Sequence, residues 1–117
     1  MLNTQNPDCL FCKIVKGENP AKILYKDENC VAFHDIDPQA PVHFLVIPKE
    51  HIPSCGAVTA ENAAVVGHCF QVISKVTKEL GLAEFRVVSN CGESAGQSVF
   101  HLHFHVLGGR DMTWPPG

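Results

Sequence analysis

The stretch His101-Leu102-His103-Phe104-His105-Val106-Leu107 alternates polar and apolar residues from its first position to position 106. Because successive side chains of a β-strand leave opposite faces, this alternation predicts a half-buried strand. We expect Leu102, Phe104 and Val106 to point into a core. The three histidines then share one short groove on the other face, about 7 Å apart. Imidazoles titrate, bind metals and attack phosphorus near neutral pH, so the stretch predicts an active site or a metal site.

The composition predicts one globular domain spanning residues 1–117, with 45% hydrophobic and 18% charged residues. The net charge is −3 and the sequence has no basic cluster, which argues against nucleic acid as a stable partner. Residues 1–7 lack the basic start and apolar run of a signal peptide, and no apolar stretch approaches membrane-spanning length. We therefore expect a cytoplasmic protein without a membrane partner, whose six cysteines are reduced.

The remaining patterns predict an α+β fold. A short helix is expected over residues 9–16 and a long one over 60–80, with Thr59 as N-cap and Gly81 just past the end. The long helix carries one apolar face, formed by Val65, Cys69, Val72, Ile73, Val76 and Leu80. Together with the histidine strand, strands over residues 22–26, 30–34, 42–47 and 85–90 make an antiparallel sheet of about five strands, with the long helix across one face.

Two further motifs carry candidate chemistry. The loop over residues 90–99 contains glycines at 92 and 96, whose freedom lets exposed amides form an anion-binding concavity. Alone it would be a surface turn, but beside three histidines it indicates a phosphate site, with the Ser98 hydroxyl in reach. Cys9-x-x-Cys12 is compatible with zinc, a redox pair or coincidence; for zinc, His51 and His101 are candidate further ligands.

The other histidines give weaker signals. His34 precedes Asp35 and either lines a pocket or ends a strand, and His68 is an ordinary helix-surface or interface residue. His43 lies on the same face as Leu45 and is by default a buried core histidine.

The run H-φ-H-φ-H-φ-φ, where φ is apolar, resembles the defining motif of the histidine triad (HIT) superfamily in every position. Residues 33–36, 39–49, 96–99 and 108–117 also resemble its HINT branch, the histidine triad nucleotide-binding proteins. These are small homodimeric phosphoramidases. The resemblance covers nearly the whole chain.

The resemblance implies a role for each matching residue. His103 would be the nucleophile that attacks the α-phosphorus of a purine nucleoside 5′-phosphoramidate, an AMP or GMP derivative, and forms a nucleotidyl-histidine that water hydrolyses. His105, His43 and Ser98 would complete the catalytic set. The nucleotide would contact Phe11, Ile14, Phe33, His34, Asp35, Ile36, Leu45, Asn90, Gly96, Gln97, Ser98, Val99, His103 and His105.

The resemblance also implies a structural zinc ion on Cys9, Cys12, His51 and His101, as in relatives that have the cysteine pair. No magnesium requirement is expected. It further implies a homodimer in which the tail with Trp114 reaches toward the partner's active site.

Two alternatives stay open. In the first, His101, His103 and His105 hold a catalytic zinc ion in a metallohydrolase, although three ligands on one strand rarely converge on one metal. In the second, the chain is a nucleotide-binding regulatory or scaffold protein with incidental turnover. Dinucleoside polyphosphate hydrolysis and nucleotide transfer occur in neighbouring branches, and the Trp-Pro-Pro-Gly ending argues against both by resemblance alone.

Overall fold

The computed structural model describes residues 8–117. Residues 1–7 lie outside the described residues. They are part of the predicted domain, and the expectation that the chain has no signal peptide concerns them. The helices and strands, in chain order, are α1 (Leu10–Lys16), β1 (Ile23–Lys26), β2 (Cys30–His34), β3 (Val42–Pro48), α2 (Ala63–Glu79), β4 (Phe85–Val88) and β5 (Phe104–Gly108). Across residues 8–117, no helix is long and apolar enough to cross a membrane.

The five strands form one antiparallel sheet in the order β1-β2-β3-β5-β4, which confirms the predicted α+β class. One face packs against α2 and holds the larger core cluster, which includes Phe44, Leu102 and Val106. The other face packs against α1 through a second cluster that includes Phe11 and Leu45. The short helix therefore covers the sheet face that carries the histidines.

The long helix begins later than predicted. The Thr59 N–H donates to the side-chain oxygen of Asn62 at 2.7 Å, so residues 59–62 form a turn and α2 starts at Ala63. Gly81 follows the helix with φ +70°, as expected for a residue at this position. On the apolar face Leu80 is exposed, whereas Thr77 is buried and donates its hydroxyl to the Ile73 carbonyl.

The histidine strand is shorter than predicted. Leu102, Phe104 and Val106 are buried in the core as expected. However, β5 begins at Phe104, because the Leu102 N–H donates to the Ile52 carbonyl at 2.6 Å rather than to a neighbouring strand. The strand predicted over residues 85–90 likewise ends at Val88.

Candidate functional site

A cavity of about 470 Å³ opens on the α1 side of the sheet. This volume lies in the ordinary range of small-molecule sites. Most of the residues expected to contact a nucleotide line it, namely Phe11, Ile14, Phe33, His34, Asp35, Ile36, Leu45, Gly96, Ser98, Val99, His103 and His105. The cavity is apolar toward α1 and polar toward β5 and the loop that precedes it.

The hydrogen bond of His103 determines which of its ring nitrogens is free. Nδ1 lies 2.7 Å from the main-chain oxygen of His101. Because a carbonyl oxygen only accepts hydrogen bonds, Nδ1 carries the proton and the neutral ring has its lone pair on Nε2. Burial lowers the pKa of His103, which favours this neutral form at pH 7. His103 therefore offers the unprotonated nitrogen that nucleophilic attack requires.

A chain of hydrogen bonds orients His105 from behind the cavity. The Gln39 N–H donates to Nδ1 of His43 at 3.0 Å, so His43 carries its proton on Nε2. That N–H donates to Nδ1 of His105 at 2.9 Å and lies 3.3 Å from Oδ2 of Asp35. Burial, with His103 and His43 nearby, lowers the pKa of His105 to about 4. At pH 7 His105 is thus a neutral ring with an Nε2–H to donate.

Asp35, His43 and His105 also form a group of close metal-ligating atoms. The Gln39 N–H on Nδ1 of His43 keeps the proton on Nε2, which is the atom that faces the other two residues. A protonated nitrogen cannot bind a metal, so these residues form a proton and hydrogen-bond chain rather than a metal site.

The loop before the histidines is held in place by Gln97. This side chain is buried, donates to the Pro53 and Val99 carbonyls and accepts the Gly92 N–H. Gln97 therefore braces the loop and does not line the cavity.

Gly96 and Asn90 lie against each other in the same loop. Gly96 has φ +99°, and a Cβ at that position would stand 3.4 Å from the amide nitrogen of Asn90. Asn90 sits behind Gly96, outside the cavity lining, while Ser98 is exposed on the cavity wall.

The two cysteines of the N-terminal motif meet two histidines beneath the cavity. The ligand atoms of Cys9, Cys12, His51 and His101 all lie within 4.8 Å of one another. Nδ1 of His101 is 3.3 Å from Sγ of Cys9 and 3.2 Å from Nδ1 of His51. Ligand atoms on a tetrahedral zinc ion are separated by about 3.3–3.8 Å, given bond lengths of about 2.0–2.3 Å. The residues present therefore fit a zinc ion.

The protonation of this cluster fits a metal as well. Nε2 of His101 donates to the Pro48 carbonyl at 2.8 Å, which leaves the Nδ1 lone pair facing the cysteines. Burial lowers the pKa of His101 to about 4 and also lowers the pKa of His51. Both rings are neutral at pH 7, the form in which histidine binds metals.

The three histidines of the motif do not share one groove, contrary to the expectation from alternation. His103 and His105 line the cavity, with ring centroids 5.0 Å apart. His101 is fully buried and faces the cysteines. Among residues 8–117, no group of close ligand atoms contains all three, so the geometry disfavours a catalytic zinc ion on them.

A third group, formed by Asp27, Cys30 and His68, also brings ligand atoms together. The Asp27 carboxylate already accepts the Asn29 and Cys30 amides, the Tyr25 hydroxyl and Nε2–H of His68, the last at 2.7 Å. Its oxygens are occupied, so this cluster is a His68–Asp27 ion pair that ties α2 to the β1–β2 turn.

Four cavity residues were missed from the sequence: Leu10, Asn19, Pro20 and Ala21. The last three follow α1 after the reversal at Gly17, where φ is +78°. These residues reach the cavity only because α1 packs on the sheet, and no local pattern in residues 19–21 predicts that packing.

The chain is similar to a family and to curated proteins along most of its length. Residues 8–114 match the family model described as "Scavenger mRNA decapping enzyme C-term binding". An uncharacterized HIT-like protein of Synechocystis sp. is 50% identical over 111 residues, which are 94% of this chain and 97% of the relative. One from Synechococcus elongatus is 49% identical over 111 residues, with the same coverage of 94% and 97%.

Solved structures of HIT proteins are also similar to this chain along most of its length. A HIT family hydrolase from Clostridium thermocellum has a TM-score of 0.91 at 47% identity, covering 93% of this chain and 96% of that one. A HIT family hydrolase from Legionella pneumophila gives 0.91 at 46% identity, covering 94% and 100%. A histidine triad protein from Clostridium difficile gives 0.90 at 42% identity, covering 93% and 96%.

Proposed function

The chain belongs to the histidine triad (HIT) family, and on that premise we propose that it hydrolyses the P–N bond of purine nucleoside 5′-phosphoramidates. One observation carries the proposal. The hydrogen bond from Nδ1 of His103 to the His101 carbonyl leaves a neutral, unprotonated Nε2 on a residue that lines a nucleotide-sized cavity. An imidazole in this state is a nucleophile suited to phosphorus.

The reaction proceeds in two balanced steps. Nε2 of His103 attacks the α-phosphorus, the P–N bond to the amine breaks, and the leaving nitrogen takes up a proton from solvent. Water then attacks the phosphorus of the nucleotidyl-histidine, the P–Nε2 bond breaks, and the proton of the attacking water returns to solvent. A nucleoside monophosphate is released and the imidazole is restored. The net reaction consumes one water and yields a monophosphate and an amine.

His105 serves the transferred phosphoryl group in both steps. Its Nδ1 accepts from His43, so its Nε2–H can donate a hydrogen bond to an oxygen of the phosphoryl group. A hydrogen-bond donor held toward the charge that develops in the transition state contributes about 10²- to 10³-fold to such reactions. The hydroxyl of Ser98, which is exposed on the same wall of the cavity, supplies a further neutral donor. The amides of Ala95, Gly96 and Gln97 do not, because they donate to carbonyls within the loop, contrary to the expected concavity of exposed amides.

The apolar part of the cavity suits a purine base. Phe11, Ile14, Phe33 and Leu45 are buried side chains on its walls, and the Phe11 and Phe33 rings meet edge to face at 5.6 Å. Asp35 also lines the cavity, with Oδ2 3.3 Å from Nε2 of His43, and a carboxylate there would accept hydrogen bonds from ribose hydroxyls.

We also propose that Cys9, Cys12, His51 and His101 hold a structural zinc ion. An ion held by these four residues would cross-link α1 to the rest of the fold and would leave no open position for water. The protein chemistry above requires no magnesium ion.

A cytoplasmic homodimer is the proposed assembly. Trp114 is 81% exposed in the single chain, and β4, an edge strand of the sheet, carries the partly exposed Phe85. Both are apolar surfaces that a second copy would cover. Sedimentation equilibrium tests this, since a single species at the monomer mass would contradict it.

Steady-state turnover of adenosine 5′-phosphoramidate tests the function. We expect wild-type turnover that His103→Ala abolishes, while His68→Gln, which changes a histidine outside the cavity, retains it. Turnover that survives in His103→Ala would contradict the nucleophile. Binding of AMP without turnover in any variant would leave a nucleotide-binding regulatory or scaffold protein, the alternative function.

The description of the matching family names an mRNA decapping enzyme, so nucleoside phosphoanhydrides form the second substrate class to test. The same nucleophile can attack a phosphorus that bears a phosphate leaving group. A higher kcat/KM for a dinucleoside polyphosphate or cap analogue than for the phosphoramidate would favour this class.

A further inference from the structure

We infer that metal binding and nucleotide binding strengthen each other through α1, which is shared by the Cys/His cluster and the cavity. The inference rests on the proposed function and on the proposed zinc site. It assigns to residues 9–14 a coupling role that neither proposal contains.

The helix α1 has a metal-ligating side and a cavity side. Cys9 is its N-cap and Cys12 lies in its first turn, and both reach the histidines of the cluster. Phe11 and Ile14, on the same seven-residue helix, line the cavity. The same short segment therefore carries two of the metal-ligating residues and two of the residues that line the cavity.

This helix depends on its contacts with the sheet. A helix of seven residues is not stable alone in water, so tertiary packing has to hold it in place. Its first turn is also tied to the cluster, because Sγ of Cys9 accepts the Cys12 N–H at 3.2 Å.

A second connection runs from the cluster to the nucleophile. The His101 ring belongs to the cluster, and the main-chain oxygen of the same residue accepts Nδ1–H of His103. The Phe11 ring packs edge-on against both histidines, with centroids 5.0 Å from His103 and 6.1 Å from His101. A displaced α1 would remove the apolar wall and one support of the His103 ring together.

The two states are α1 docked and α1 released. A metal bound to all four ligands requires the docked state, because two ligands lie on α1 and two lie elsewhere. The nucleotide prefers the same state, because Phe11 and Ile14 complete its cavity. Two ligands that favour one state raise each other's affinity by the same factor. We expect a factor of about fivefold or more, in the range usual for linked sites.

The test measures both affinities by titration calorimetry, with AMP as the nucleotide and Zn²⁺ as the metal. AMP is titrated into zinc-loaded protein and into protein stripped by a chelator, and zinc affinity is measured with and without saturating AMP. Hydrogen exchange of residues 10–16 reports on α1, while exchange in β3 checks that the sheet stays folded. His51→Gln removes a ligand that lies outside both α1 and the cavity, and Cys55→Ser is the matched control at an exposed residue.

We expect zinc to lower the Kd of AMP at least about fivefold, AMP to lower the Kd of zinc by the same factor, and both to slow exchange in α1. His51→Gln should bind AMP like the stripped protein, and Cys55→Ser like wild type. Equal AMP affinity with and without zinc overturns the coupling and leaves both sites standing. Absence of zinc binding overturns the zinc site and the coupling, and absence of AMP binding to the zinc-loaded protein overturns the proposed function and the coupling.

Discussion

Replacing His43 by leucine tests the hydrogen-bond chain behind the cavity. The buried His43 ring accepts the Gln39 N–H at 3.0 Å and donates to Nδ1 of His105 at 2.9 Å. His43→Leu keeps an apolar side chain of moderate size in the same space but removes both bonds. The amide and the second imidazole are then left without their partners.

The size of the effect follows from those two groups. A buried polar group without a partner costs about 1–3 kcal/mol. Because Gln39 and His105 are partly reachable by water, and because leucine gains apolar burial, we expect a net loss of about 1–3 kcal/mol for the pair. For a chain of this length that is a drop in Tm of about 4–12 °C. We also expect kcat of the variant to fall by up to about 10²-fold, because His105 loses the hydrogen bond that orients it.

Thermal unfolding and steady-state turnover measure the two effects on one sample. His34→Leu is the matched control for stability, because His34 is exposed at the end of β2 and should change the free energy of unfolding by less than about 0.5 kcal/mol. A His43→Leu variant that is as stable as wild type and turns over at the same rate would refute the hydrogen-bond chain.

Three further outcomes follow from the structure. Leu102→Ala should lower the free energy of unfolding by about 2–5 kcal/mol in urea titrations, because Leu102 is fully buried in the α2 face of the core; a loss below 1 kcal/mol would contradict that packing. Gly96→Ala should cost about 1–2 kcal/mol by the same measurement, because φ is +99° there, and an unchanged midpoint would show that the loop adopts another conformation. The ion pair with Asp27 raises the pKa of His68 above its ordinary value of 6.5, so the stabilisation is complete below pH 6.5 and is lost as the pH rises through the raised pKa. Burial raises the pKa of the Asp27 carboxyl, but the hydrogen bond from His68 acts against it and that pKa lies below its ordinary value of 3.8. The ion pair therefore stops stabilising the fold only in stronger acid. The stability difference between wild type and His68→Gln should therefore narrow in alkaline buffer, and a difference that grows with pH would contradict the assignment.

The faces of the histidine strand were predictable because the side-chain period of extended backbone is set by covalent geometry. Alternation thus placed Leu102, Phe104 and Val106 in the core. It did not predict that the ladder starts only at Phe104, since the Leu102 N–H is taken by Ile52 from a distant loop. Hydrogen-bond partners that far apart in the sequence leave no local pattern.

The start of α2 shows a second limit. Thr59 is a good N-cap residue and was predicted to begin the helix, but the residue that precedes α2 is Asn62. The structure uses them together in a turn, where the Asn62 side chain accepts the Thr59 N–H. The Asn62 side chain also donates to the Ala57 carbonyl and makes no capping bond to α2, so the turn before the helix uses the polar group that would otherwise cap it.

The residues of the candidate site were predictable from local motifs, but their arrangement was not. The histidine run and the cysteine pair are local motifs, so their residues were candidates before the fold was known. The separation of His101 from His103 and His105 was not predicted by alternation, because residues 101–103 leave the sheet and His101 faces the cysteines. His101 was a candidate metal ligand because a cysteine pair needs two further ligands to hold zinc, and the resemblance to the family implied the same set.

The nucleophilic role of His103 is tested most directly by trapping the covalent intermediate. Adenosine 5′-phosphoramidate is mixed with enzyme, quenched on the millisecond scale and analysed by intact-protein and peptide mass spectrometry. We expect a transient adenylyl adduct on His103 that forms before AMP is released and is absent from His103→Ala. Turnover at the wild-type rate with no adduct on His103 at any time would contradict it.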